Sequence, residues 1–86
     1  MNDQPVSWLM IEPGWTVQSE DGQEVGAVHE VLGDEGADIF DGLAVSHGLL
    51  KRPRYVPAEN VAAIKEGHVV LALSAGAFER LDDYES

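Results

Sequence analysis

The sequence predicts an all-β fold: a small, partly open β-barrel of five or six strands with a short C-terminal helix. Three observations carry that expectation. An Asp21-Gly22 pair stands between two apolar segments, a hairpin signal because a tight turn needs the positive φ that glycine adopts at little cost. Short apolar stretches recur along the chain, each bounded by Gly, Pro or polar residues. The 86 residues, 44% of them hydrophobic, make one small domain. Its modest core has to close as a barrel or sandwich, or borrow burial from a partner.

Residues 1–7 read as a flexible tail and residues 8–86 as the single domain. Trp8-Leu9-Met10-Ile11 is an apolar run broken by Pro13-Gly14. Residues 14–31 form the central hairpin, with Trp15 and Val17 alternating on its first arm. On the second arm Val25, Ala27 and Val31 share a face with His29, while Val28 and Leu32 lie opposite; this mixed alternation places a bulge at Gly26. A polar connection at 33–36 leads to a strand over 38–47, with Leu43, Val45 and His47 on one face, Phe40 and Ala44 on the other, and a bend at Gly42.

Residues 48–53 read as a loop or a frayed strand end, and residues 54–56 as a short strand stopped by Pro57. Val61 and Ile64, three apart, predict one helical turn over 58–64. Gly67 ends a turn before a strand over 68–73 that is apolar on both faces, the mark of burial on both sides. Ser74 is placed to N-cap a helix over about 75–84. Phe78, Leu81 and Tyr84 would lie as a stripe over the barrel mouth or on a partner.

The net charge is −11, and residues 1–50 hold ten Asp or Glu and no Lys or Arg. Such a chain repels polyanions, which disfavours nucleic acid and anionic membrane surfaces as partners. The acidity reads first as a solubilising surface. With no cysteine there is no disulfide, thiolate metal site or thiol nucleophile. No stretch has the length of a membrane span, and the acidic N-terminal region lacks a signal-peptide pattern, so a cytoplasmic protein is expected.

The chemistry-bearing residues are sparse. His29, His47 and His68 would suit a transition metal if the barrel brought them together, but none shows the local spacing of a metal motif. Asp34, Glu35, Asp38 and Asp41 gather oxygen ligands yet fail the EF-hand pattern. Ser46 and His47 adjoin, but successive strand residues point to opposite faces, so they do not pair as nucleophile and base. No catalytic residue, cofactor, metal site or small-molecule substrate is assigned, and an enzyme is not expected. Lys51, Arg52 and Arg54 crowd into one window, a positive spot on a negative molecule that would orient an acidic partner or a second copy of the chain. Tyr55 beside them supplies the aromatic anchor that binding hot spots favour.

The ordered signals resemble one family. Ile11 and Gly14-Trp15-x-Val17 precede Asp21-Gly22; Val25-Gly26-x-Val28 follows, with Val31 beyond it. Leu43-Ala44-Val45 comes next, then Val56-Pro57 with Val61 and Ile64, and finally Val69-Val70-Leu71. Together these resemble the PRC-barrel family, small β-barrels found in the photosynthetic reaction-centre H subunit and in a ribosome-maturation factor. The resemblance implies a strongly bent sheet acting as an adaptor or inside a larger assembly, with no shared active site. The 78–84 segment and the acidity depart from the family pattern and argue against a ribosome-related role. The sequence therefore predicts a non-catalytic adaptor or structural module working through protein contacts, with homodimerisation as one form of those contacts. The alternative is a small-ligand or metal-binding module using the histidines and the acidic loop.

Overall fold

A computed structural model describes residues 6–48 and 51–84. Strands β1 (Thr16–Gln18), β2 (Glu24–Asp34), β3 (Ile39–Ser46), β4 (Arg54–Pro57), β5 (Val61–Lys65) and β6 (His68–Leu71) precede one short helix, α1 (Ala75–Phe78). They form a single six-stranded sheet in the order β4-β3-β2-β1-β6-β5. The sheet curls but does not close, and it is the partly open barrel that the sequence predicts.

The central hairpin is present, with a longer turn than the tight one expected. Residues 19–23 connect β1 to β2: the Ser19 N–H donates to the Gln23 carbonyl (2.8 Å) and the Gly22 N–H to the Ser19 carbonyl (3.0 Å). Gly22 takes the positive φ, at 84°. Ser19 is buried, donates from its hydroxyl to the Asp21 carboxylate and accepts from the Gln23 N–H. That carboxylate also receives the Ala75 N–H at the start of α1 (3.3 Å), so the turn is tied to the far end of the chain. The Ser19 hydroxyl holds the Asp21 carboxyl below the ordinary carboxylate value.

Four bulges bend the sheet. The expected one at Gly26 falls one residue earlier, where Val25 is the extra residue between the Val17–Gly26 and Gln18–Glu24 pairs. His29 and Asp41 are extra in the β2–β3 ladder, and Ala62 in the β5–β6 ladder. Gly26 and Gly42 stand where neighbouring backbone crosses closely: a Cβ would overlap the Ser46 carbonyl oxygen at Gly26 and the Val56 carbonyl oxygen at Gly42. The bend expected at Gly42 is thus a site of strand contact beside the Asp41 bulge.

The helical turn predicted over 58–64 is corrected. Residues 58–60 make one 3-10 turn, and β5 follows as a strand joined to β6 through the Glu66-Gly67 turn. The bulge at Ala62 is the reason: it restores Val61 and Ile64 to the same side of the strand, both against the core, at a spacing that mimics a helix. The helix expected over 75–84 stops at Phe78. Ser74 caps it as predicted, accepting from the Ala77 N–H (3.1 Å). Beyond it the chain runs back along the β4 edge, where the Tyr55 N–H donates to the Asp82 carbonyl (3.0 Å) and the Tyr84 N–H to the Pro53 carbonyl (2.7 Å). Pairing with a strand edge outcompetes two consecutive aspartates, weak helix formers, for this segment.

The core is Ile11, Val17, Val28, Leu43, Val45, Val56, Val69, Leu71 and Phe78. Phe78 is fully buried, so the C-terminal stripe begins in the chain's own core. Of the tail expected over 1–7, residues 1–5 lie outside the described residues. The Val6 N–H donates to the Ile64 carbonyl on the β5 edge (2.9 Å), and Ser7 caps a 3-10 turn at Trp8–Met10.

The crowded glycines yield a paired test. Gly42→Ala should destabilise the domain by about 2–3 kcal/mol, because the added methyl meets backbone rather than a mobile side chain. Gly76→Ala, in open space within α1, should raise stability by up to about 1 kcal/mol. Urea denaturation of the two variants checks both signs.

Candidate functional site

The four residues assigned to partner contact do not share one fate. Lys51 and Arg52 are exposed, and the Arg52 carbonyl bonds the His47 ring at 3.1 Å. Arg54, on β4, turns toward its own chain. Its guanidinium donates to the Leu81 carbonyl (2.6 Å) and lies 3.7 Å from the Asp83 carboxylate and 3.9 Å from that of Glu79. Only 19% of its side chain is exposed, and its buried Nε has no hydrogen-bond partner among the described residues. Arg54 therefore clamps the returning C-terminal segment onto β4, and the outward positive spot reduces to Lys51 and Arg52. Tyr55 is half-buried, and its hydroxyl meets the Asp41 carboxylate (3.1 Å) and carbonyl (3.2 Å). Burial and then the Asp41 carboxylate push the phenol above its ordinary value.

The acidic loop finds its partners within the chain. Asp34 accepts the Ala37 N–H (3.3 Å), closing the β2–β3 turn. Asp38 takes a left-handed backbone at φ 54° and receives the Trp8 indole N–H (2.9 Å); Asp41 serves Tyr55. The three histidines do not converge. His29 is exposed on β2, His68 is paired with Thr16 and Lys65, and His47 sits edge-on to Phe78 at 5.7 Å. No group of three or more His, Cys, Asp or Glu among the described residues is placed to hold a metal ion.

A surface outside the assigned residues is built instead around Trp8 and Phe40. Ser7 caps the turn that presents Trp8, Asp38 fixes the indole, and the ring stacks on Phe40 of β3 at 5.3 Å between centroids. The pair separates two open hollows. One, of about 190 Å³, is lined by Trp8, Leu9, Ile11, Val31, Gly33 and Glu35. The other, of about 220 Å³, lies where the barrel stays open, between Phe40 and the apolar β5 edge. Leu9 and Met10, in the same turn as Trp8, are 47% and 58% exposed. The sequence signal was the run 8–11, three large apolar residues directly followed by one buried one. The apolar run alone does not reveal that residues 8–10 fold as a surface turn with Ile11 in the core.

A family model, the PRC-barrel domain, matches residues 14–77. The chain belongs to the PRC-barrel family, as its resemblance implied. A comparison with curated proteins returns no match. Among the described residues, no helix is long and apolar enough to cross a membrane.

Two outcomes separate structural from surface roles at the basic window. Arg54→Ala should cost about 2 kcal/mol of stability by releasing residues 81–84, whereas Lys51→Glu should change it by less than about 0.5 kcal/mol. Thermal melts of the two variants read the difference. For Tyr55, a phenol pKa raised in the folded state contributes stability that is present below the ordinary value of 10 and lost as pH rises through the folded value. Ultraviolet titration should show a tyrosine ionising above that ordinary value, and Asp41→Asn should move it back toward 10.

Proposed function

We propose that this domain is a non-catalytic adaptor that works through contacts with other proteins. The observation that carries the reading is the exposed apolar surface around the stacked Trp8 and Phe40, with Leu9 and Met10 standing open beside two hollows. A small domain that leaves large side chains in water next to an aromatic ridge has the composition of a binding patch, in which aromatic residues and methionine are enriched. The fold supports the same reading: both outer edges of the sheet are short and partly covered by residues 6 and 82–84, which favours contact through the apolar face over pairing at a strand edge. A second copy of the chain is the less favoured partner, since each brings a charge of −11.

The test is retention of proteins from native lysate on the tagged domain at moderate salt. Wild type should retain one or a few proteins in near-stoichiometric amount, and Leu9→Ser, with its fold checked by circular dichroism, should lose them. Loss on Lys51→Glu with Arg52→Glu instead would assign the contact to the basic window. Bait recovered alone, and sedimenting as a single chain, overturns the adaptor reading.

A further inference from the structure

The apolar surface carries a second property, its charge surroundings. Everything that lines the hollow beneath Trp8 comes from residues 8–35, a stretch without Lys or Arg. Glu35 forms part of its wall, Glu12 follows Ile11 directly, and Asp38 holds the indole from the β2–β3 turn. Across the Trp8–Phe40 ridge, Ala58 lines the second hollow and Glu59 is its neighbour in the 3-10 turn. Two recesses, the second of them mainly apolar, thus have carboxylates beside them, with Lys65 following Ile64 at the β5 side of the second. An acidic rim around an apolar centre excludes acidic partners by like-charge cost and draws basic ones by attraction.

We propose that the Trp8–Phe40 surface takes a basic segment of a partner protein, one that carries two apolar anchor side chains flanked by Lys or Arg. The proposal rests on the adaptor reading and names the chemistry of its partner. The two hollows, of about 190 and 220 Å³, have the capacity of a large aliphatic or aromatic side chain each, and the stacked rings between them form a ridge for the intervening backbone. A second copy fits poorly, because a two-fold contact through this face would set each Glu35 region against its own copy. The attraction acts over a Debye length of about 8 Å at physiological salt, so it contributes to encounter and to selection while the recesses supply the residence time.

Three labelled synthetic peptides of equal length test this by fluorescence anisotropy: leucine anchors on a lysine background, the same leucines on a glutamate background, and serines replacing the leucines on the lysine background. The Leu/Lys peptide should bind at least about tenfold more tightly than either of the others, a difference of about 1.4 kcal/mol. Its affinity should fall severalfold as salt is raised well above the physiological level. Leu9→Ser should weaken it about tenfold, and Glu35→Lys should weaken it while improving the Leu/Glu peptide; both side chains stand at the surface, so both variants should melt close to wild type. Equal binding of the Ser/Lys peptide means diffuse counter-charge and overturns the proposal. Equal binding of the Leu/Glu peptide removes the charge selection and overturns it as well. No binding of any peptide, or a salt-stable dimer broken by Leu9→Ser, overturns it too. If the peptides fail while lysate proteins are still retained and lost on Leu9→Ser, the adaptor reading stands and only the basic chemistry of the partner falls.

Discussion

Strand β1 is three residues long, and the whole sheet hangs on it. It pairs antiparallel with β2 on one side and parallel with β6 on the other, so the two halves of the sheet, β4-β3-β2 and β6-β5, share it as their seam. Val17 at its centre is completely buried. A parallel pair between residues 16–18 and 68–70 closes a long loop of chain, and the entropy of that closure has to be offset by contacts made all at once. The supports are visible around it: the Glu20 N–H donates to the Leu73 carbonyl (2.7 Å), and Asp21 reaches Ala75. The Asp-Gly turn is thereby more than a reversal of direction. It carries the polar groups that fasten the first hairpin to the end of the last.

The strands are legible in the sequence to the extent that they are straight. Residues 68–71, without a bulge, form the strand expected from their apolar run. Only Val69 and Leu71 are buried and the alternate residues are half-buried, so the strand is covered on one face rather than both. Elsewhere core residues stand three apart: Val28 and Val31 around the extra His29, Phe40 and Leu43 around Asp41, Val61 and Ile64 around Ala62. A bulge adds one residue to one strand, so a period of two becomes a spacing of three wherever it occurs. In β5 that spacing is indistinguishable from a helical turn. Bulges also supply the curvature that lets six short strands wrap a single core, so the features that blur the sequence pattern are the ones that shape the barrel. The parallel β1–β6 pairing and the return of residues 81–84 to β4 depend on distant chain segments and leave no local trace.

The charged residues show a similar division. A cluster such as 51–54 is visible as a cluster, but whether each cation faces solvent or its own chain depends on where distant carboxylates arrive. Residues 79–83 bring two of them to Arg54 and leave Lys51 outside. The acidic loop follows the same logic in reverse. Asp38 and Asp41 serve the polar ends of Trp8 and Tyr55, rings whose bodies are half-buried and whose donors need partners. What looks like an excess of carboxylates in the composition is in part the polar support of two aromatic side chains.

That support explains how an acidic domain keeps an apolar surface open in water. An exposed tryptophan that is free to rotate invites nonspecific association, whereas one fixed by Asp38 and stacked on Phe40 offers a single shape. The net charge of −11 adds repulsion between copies, which limits aggregation through Leu9 and Met10 without covering them. Neutralising the acidic surface would remove that protection, and burying the apolar turn would remove the surface itself. The two properties are compatible because they act over different ranges. Repulsion between like-charged copies is felt at a Debye length, while the recesses act only at contact, so a partner of opposite charge meets no barrier before it reaches them.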